Sequence, residues 1–185
     1  MSAIMEWDEL NIIRETAVTL FGGKRKSRED ILRFCDYLEY VLCLVYAYGW
    51  KDAEEVVGAV PFRDGLDDKA VNLPLEDGKT FRDRITEDTT QEEILRLIDT
   101  EAHRDYNTGV YDAATISGKS GIRKQWYTMM DDRVRDTHRY LEGVTVGLND
   151  RFWTYDGDSA LYPGGFMLPS NNVNCRCIVR LSTGG

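Results

Sequence analysis

The segment Thr90-Gln91-Glu92-Glu93, followed by Ile94, Ile98, Ala102, Tyr106, Val110 and Ala114, narrows most what this chain folds into. A Thr with a Glu three positions on is a full capping box, and apolar residues at four-residue steps lie on one helical face. The pattern predicts a single long helix from about residue 90 to Ile116, and the rest of the chain must be arranged around it.

Ahead of it, Leu10, Ile13, Ala17 and Leu20 recur at threes and fours and Gly22-Gly23 follows, which predicts a first helix over residues 7 to 21. Ser27 with Asp30 resembles a capping box, and Ile31, Cys35, Leu38, Leu42 and Val45 mark a second helix. Its half from Tyr40 to Tyr48 is apolar nearly all round, so several sides need covering by the rest of the protein or by a partner. Tyr40, Tyr46, Tyr48 and Trp50 are therefore candidate partner contacts, with self-association as one outcome. Lys51 to Val57 reads as a short third helix. Residues 59 to 88, punctuated by Pro61, Gly65, Pro74 and Gly78, read as an extended connection.

Beyond Ser117-Gly118-Lys119-Ser120-Gly121 the character changes. Ile122 to Met129 is rich in β-formers, and short apolar runs recur at Val144 to Leu148, Phe152 to Tyr155 and Cys177 to Leu181. The expected class is α+β: an N-terminal helical region with one long central helix, then a small C-terminal β-containing module. The chain divides into residues 1–88 and residues 89–185.

The 185 residues carry 23 Lys plus Arg against 32 Asp plus Glu, a net charge of −9 that argues against coating nucleic acid. The sign is uneven: residues 119 to 185 hold 9 basic and 7 acidic side chains, net +2, leaving −11 for residues 1 to 118. The acidic part suits docking onto protein, and the basic tail leaves room for a local DNA contact. The longest apolar run has nine residues, short of the roughly 20 a membrane helix needs, and the N-terminus lacks the pattern of a signal peptide. Four cysteines without a small-secreted-domain spacing suggest a reducing compartment.

The densest polar constellation is Asp131-Asp132-Arg133-Val134-Arg135-Asp136-Thr137-His138, with Glu142-Gly143 close behind. Asp132 is placed to cap a short helix carrying Arg135 and His138 on one face. The plain reading pairs Arg135 with a carboxylate of the long helix and His138 with a backbone carbonyl; acid–base work by the two is the sharper one. In Asn174-Cys175-Arg176-Cys177 the two thiols share a face of a closing strand. Cys175, Cys177 and His138 are three ligands of the kind that zinc accepts, yet C-x-C is not the usual knuckle and no fourth ligand is evident. Buried reduced thiols are favoured over zinc, and zinc over a disulfide, so no cofactor is expected.

Glu101, Arg104, Thr108 and Tyr111 form a polar stripe on the long helix, read as a solvated or pairing face in which Glu101 and Arg104 could orient Arg133 or Arg135. Lys24-Arg25-Lys26-Ser27-Arg28 is a basic cluster beyond a helix end. Gly118-Lys119-Ser120 is no phosphate loop, since Ala113 stands where the first Gly belongs and no strand precedes it.

Taken in order, Trp126, Asp132-Arg133-Val134-Arg135, His138, Leu141, Gly143, Phe152, Pro163-Gly164 and Asn174-Cys175-Arg176-Cys177 resemble the Mu F type of phage minor head protein, the head morphogenesis family. The helix with Thr100-Glu101, Arg104 and Asn107 is similar to the T-E-x-x-R-x-x-N helix of that family. Many relatives carry C-x-x-C within the segment here written Val134 to His138, and a His where this chain reads Pro169 to Val173; both are further ligand positions absent here. The resemblance implies a virion component present in few copies, associated with the portal or other capsid proteins and with packaged DNA. Such a component is in the host cytoplasm during assembly, has no membrane association and has no established catalysis. It makes Glu101, Arg104, Asp132, Arg133, Arg135, His138, Gly143, Asn174, Cys175, Arg176 and Cys177 a structural motif. The competing class is a phage-associated enzyme or toxin-like module such as an ADP-ribosyltransferase, built on Arg135, His138 and Glu101; no nucleotide-binding sequence accompanies them.

Overall fold

Gly49 and Gly109 set the geometry of the helical layer. The computed structural model describes residues 8–23, 26–75 and 77–184. In it α1 is Asp8–Phe21, α2 is Arg28–Val57 and α4 is Gln91–Ser117, with the short α3, Leu66–Val71, between the last two. A Cβ on Gly49 of α2 would stand 2.0 Å from the Tyr106 carbonyl oxygen, and one on Gly109 of α4 would stand 2.1 Å from that of Tyr46. The two helices thus meet backbone to backbone, an approach that only paired glycines permit.

This contact explains two departures from expectation. The short third helix over Lys51–Val57 is not separate: α2 runs unbroken through Gly49 for 30 residues, because α4 supplies the packing that compensates for a mid-helix glycine. The apolar half of α2 is covered from within the chain. Tyr46 is fully buried and donates its hydroxyl to Asp112 Oδ2 at 2.9 Å, while Trp50 is buried and donates Nε1–H to the Val60 carbonyl at 3.3 Å. Tyr46 and Trp50 are core residues and offer no partner contact; Tyr48 is half-buried, and of the four only Tyr40, 59% exposed, stands clear of the core.

The helix ends follow the sequence signals. Ser27 caps α2 by accepting from Asp30 N–H, and Thr90 and Glu93 close both halves of the capping box of α4. α1 is pinned to α4 by Arg14, whose Nε and Nη2 donate to Asp99 Oδ1 at 2.9 and 2.6 Å. Residues 59 to 88 are not simply extended: besides α3 they contain a 3-10 turn, Arg82–Arg84, where Arg82 grips Glu39 and Asp36 of α2. Lys24 and Arg25 of the basic cluster lie outside the described residues, and Lys26 Nζ lies over the Phe21 ring, 5.3 Å from its centroid.

After α4, Gly118 takes a left-handed cap at φ 64 and β1 begins. β1 (Ile122–Tyr127) is the middle strand of a three-stranded antiparallel sheet, between β2 (Thr145–Gly147) and β5 (Ile178–Thr183). Trp126 pairs with Val179 and Lys124 with both Val146 and Leu181. A second pair, β3 (Phe152–Trp153) and β4 (Ser159–Ala160), forms a small hairpin, and two one-turn helices, α5 (Asp136–Arg139) and α6 (Pro169–Asn172), complete the module. The class is α+β, as expected. Trp126 is fully buried at its centre, edge-on to Phe152 at 5.1 Å and to His138 at 5.4 Å, with Phe166 at 5.6 Å. A continuous hydrophobic cluster extends from Leu10 in α1 to Val179 in β5.

Candidate functional site

Residues 101 to 110 of α4 are all buried, because α2 covers one side and the β-module the other. The polar stripe is therefore not solvated. Glu101 (3% exposed) pairs with Arg104 at 2.7 Å, without the alignment of a full hydrogen bond, and Arg104 Nε donates to Asp105 Oδ1 at 3.1 Å. Burial opposes the charge on Arg104, and Asp105 and Glu101 outweigh it, raising the guanidinium above its usual range. Arg104 Nη2 also donates to the Val71 carbonyl at 3.2 Å, tying α3 to α4. Arg135 is not part of this network. It precedes α5 and donates to the Val173 carbonyl, so the expected pairing with the long helix is replaced by a bond within the module.

Asn107 makes the tie that Arg135 was expected to make. Fully buried, it accepts from Val179 N–H at 2.8 Å and donates to the carbonyls of Cys177 and His103 at 3.1 and 2.7 Å. A single amide thus completes the backbone pairing of β5 from the helix side. Thr100 Oγ1 adds a second link by accepting from Asn174 N–H at 3.1 Å, where Asn174 sits at φ 59, a conformation Asn tolerates.

The Asp-rich turn is organised by Asp131 and not by Asp132, which is exposed. Asp131 accepts from Arg133 N–H at 3.1 Å and from both Nη atoms of Arg176 at 2.8 and 2.6 Å, and this bidentate pair pulls its pKa down to about 2. Arg133 is exposed and lies 3.6 Å from Asp131. No side chain caps α5, whose N-cap residue is Arg135 itself. Gly143 adopts φ 74 and donates its N–H to the Trp126 carbonyl at 2.9 Å, which accounts for the Leu-x-Gly step.

His138 does not bond a backbone carbonyl through its ring. Its Nδ1 stands 3.6 Å from Cys175 Sγ and 3.5 Å from Cys177 Sγ, all three side chains are buried, and neither cysteine is in a disulfide. The cysteines precede β5 instead of lying on it, yet their sulfurs and the imidazole nitrogen fall within 4.8 Å of one another. Stacking against Phe166, with centroids 5.3 Å apart, and the edge contact with Trp126 fix the ring.

Sequence reasoning missed two further groups. Asp158 accepts four hydrogen bonds, from the N–H groups of Ser159, Met167 and Leu168 and from Asn171 Nδ2, at 2.8 to 3.2 Å. Burial raises its pKa, but these donors prevail and hold it below the ordinary value. Lys124 is fully buried in β1, donates to the Leu148 carbonyl at 2.5 Å and lies over the rings of Tyr111 and Phe152 at 5.0 and 5.5 Å. A short polar residue in a loop and a lysine in an alternating strand give no sign of burial in one dimension. The Pro163-Gly164 turn, by contrast, has a plain purpose: Gly164, at φ 92, presses on Arg104, where a Cβ would meet the Arg104 Cα at 3.0 Å. Beside it a cleft of about 1030 Å³ opens between α4, the segment after α3 and the loop ahead of α6, with Glu101, Arg104, Tyr162 and Phe166 in its wall.

Residues 75–180 match the family described as Phage Mu protein F like protein. The match takes in the second half of the 59–88 connection, α4 and the module through β5. Over 127 residues, 63% of this chain, the sequence is 33% identical to the NAD(+)–arginine ADP-ribosyltransferase EFV of Enterococcus faecalis. Over 79 residues, 42% of this chain, it is 30% identical to the minor head protein GP7 of Bacillus phage SPP1. The chain spans about a quarter of the length of each relative, 26% in both cases. No solved structure matches. Among the described residues no helix is long and apolar enough to cross a membrane. With more than half of its length matched, the chain belongs to the phage Mu protein F like family.

Proposed function

We propose that the chain is a structural component of a tailed-phage or prophage head, a minor head protein that docks on the portal or another capsid protein and assists head morphogenesis or genome delivery. The observation that carries this reading is the use of the family motif: Asn107 and Gly164 are spent on joining α4 to the module, Arg104 on joining α4 to α3, and Asp131, Arg176 and Gly143 on closing the module itself. Residues with that task build a framework, and the function is left to surfaces. The acidic remainder of the chain favours a protein partner, and the mildly basic module favours any contact with packaged DNA.

The enzyme reading rests on the name of the Enterococcus faecalis relative. Two relatives with unlike names each share about a quarter of their length with this chain, which supports a common head-protein-like module over a common reaction. Arg135 and Glu101 also bond separate partners, so the imagined constellation is not gathered. The test has two arms. Co-expressed with the portal protein of its phage, the chain should co-sediment with portal rings; incubated with labelled NAD and an arginine-rich acceptor, it should transfer nothing. Transfer that Glu101→Gln abolishes, together with no portal association, would overturn the proposal.

A further inference from the structure

His138, Cys175 and Cys177 converge more closely than a single S–H···N hydrogen bond requires. A neutral imidazole nitrogen has one lone pair and accepts one S–H hydrogen bond, yet two sulfurs stand at equal range from Nδ1, 3.5 and 3.6 Å. A shared cation does explain it. With zinc–sulfur and zinc–nitrogen bonds of about 2.3 and 2.05 Å, a tetrahedral angle places sulfur and nitrogen about 3.5 to 3.6 Å apart. Both observed separations fall on that edge length. We infer that His138 Nδ1, Cys175 Sγ and Cys177 Sγ bind one zinc ion tetrahedrally, with a water molecule as fourth ligand.

Space and charge agree. A small pocket of about 10 Å³ adjoins the three ligands, walled by Met129, Val134 and Asn174 and by Arg133, Arg135 and Arg176, whose positive charge favours the thiolate form of the two cysteines; that volume is close to the least that holds one water. Two thiolates neutralise the divalent ion, so the buried site carries no net charge, and the imidazole is already fixed by Trp126 and Phe166. His138 Nε2 is buried with no hydrogen-bond partner among the described residues, so ring packing takes the orienting role that a carboxylate or carbonyl has at many zinc histidines. His103, also buried, stands outside the converging set. The ion would fasten α5 to the segment entering β5, in a module whose other strands are only two to six residues long. Residue type and order weigh toward reduced thiols, and the convergent geometry weighs toward metal.

The test is metal content and cobalt spectroscopy on the full chain. Purified without chelator, the protein should hold about one zinc per chain by mass spectrometry, falling at least five-fold in Cys175→Ser, while Cys43→Ser, outside the cluster, keeps it. Should Cys175→Ser fail to fold, the intact protein still decides: cobalt replacing zinc should give the intense visible bands of a tetrahedral thiolate site. A folded intact chain that contains no zinc and takes up no cobalt as a tetrahedral species overturns the inference.

Discussion

Gly109→Ala places one carbon where α2 and α4 cross. Its Cβ would stand 2.1 Å from the Tyr46 carbonyl oxygen and 3.1 Å from Trp50 N, and both neighbours are backbone. Carbon–oxygen contacts settle at about 3.3 to 3.6 Å, so the helices must part by roughly 1.2 Å or more. No rotamer change relieves a backbone clash. Glycine to alanine inside a helix is worth about 1 kcal/mol in favour of alanine. Overpacking costs about 1 to 3 kcal/mol and sometimes more. With two backbones meeting, the upper part of that range applies, and the net loss should be about 2 kcal/mol, or roughly 4 to 8 °C in Tm for a chain of this size. Gly49→Ala should behave alike. The double variant should cost less than the sum, since helices already parted accommodate the second methyl. Denaturant midpoints of the four proteins measure this. Equal or raised stability in either single variant would refute the backbone crossing.

Other outcomes follow from the buried polar groups. Asn107→Leu strands Val179 N–H and the Cys177 carbonyl and should cost roughly 2 to 6 kcal/mol at about 1 to 3 per group; a loss under about 1 kcal/mol in a denaturant titration would contradict that tie. Arg104→Met leaves Glu101 and Asp105 buried without their cation and should cost about 3 to 5 kcal/mol, whereas Arg135→Met, which removes one bond to a loop carbonyl, should shift the melting temperature far less. Asp158 and Asp131 have depressed pKa values. Their contribution is therefore present above the unfolded carboxylate value near about 4 and lost as pH falls through the folded values, which for Asp131 is about 2. Acid unfolding of Asp158→Asn should lack part of that slope. Burial brings Lys124 down to about 8. The unfolded chain then binds the extra proton between about pH 8 and 10.4, and the penalty for burying the ammonium fades as pH rises through that window. The stability of the intact protein relative to Lys124→Met should accordingly rise across it; a constant difference would show that Lys124 is charged throughout.

How far the fold could be read from sequence depended on whether a signal was local. The capping box at Thr90 and the stripe from Ile94 to Ala114 were legible because both ends of each interaction lie within a turn or two. Lys51–Val57 reads as a separate helix in sequence because Gly49, just ahead of it, has its partner Gly109 sixty residues away, and only the crossing makes a mid-helix glycine useful there. The Glu101–Arg104 stripe reads in sequence as a solvated or pairing face; the pairing is local and holds, but its burial is not legible because its cover comes from the Gly164 turn and the residues after α3. The apolar surplus from Tyr40 to Tyr48 looked like an interface for the same reason: α4 covers it. At the candidate site the residues were all in view, and their meeting was not. Cys175 and Cys177 were placed on a strand they precede, and the nearness of His138 depends on a closing turn, Asp131–Arg176, in which Asp131 displaced Asp132. Asp158 carried no sequence signal, since donors from β4, from the loop ahead of α6 and from α6 itself converge on it only in the folded module.

The most direct test of the structural role is quantitative mass spectrometry of DNA-filled heads purified by density from the phage that encodes the chain. The account predicts the protein in those heads at a few copies per portal ring, retained after high-salt washing. Heads that fill with DNA, infect normally and contain none of it would contradict the account.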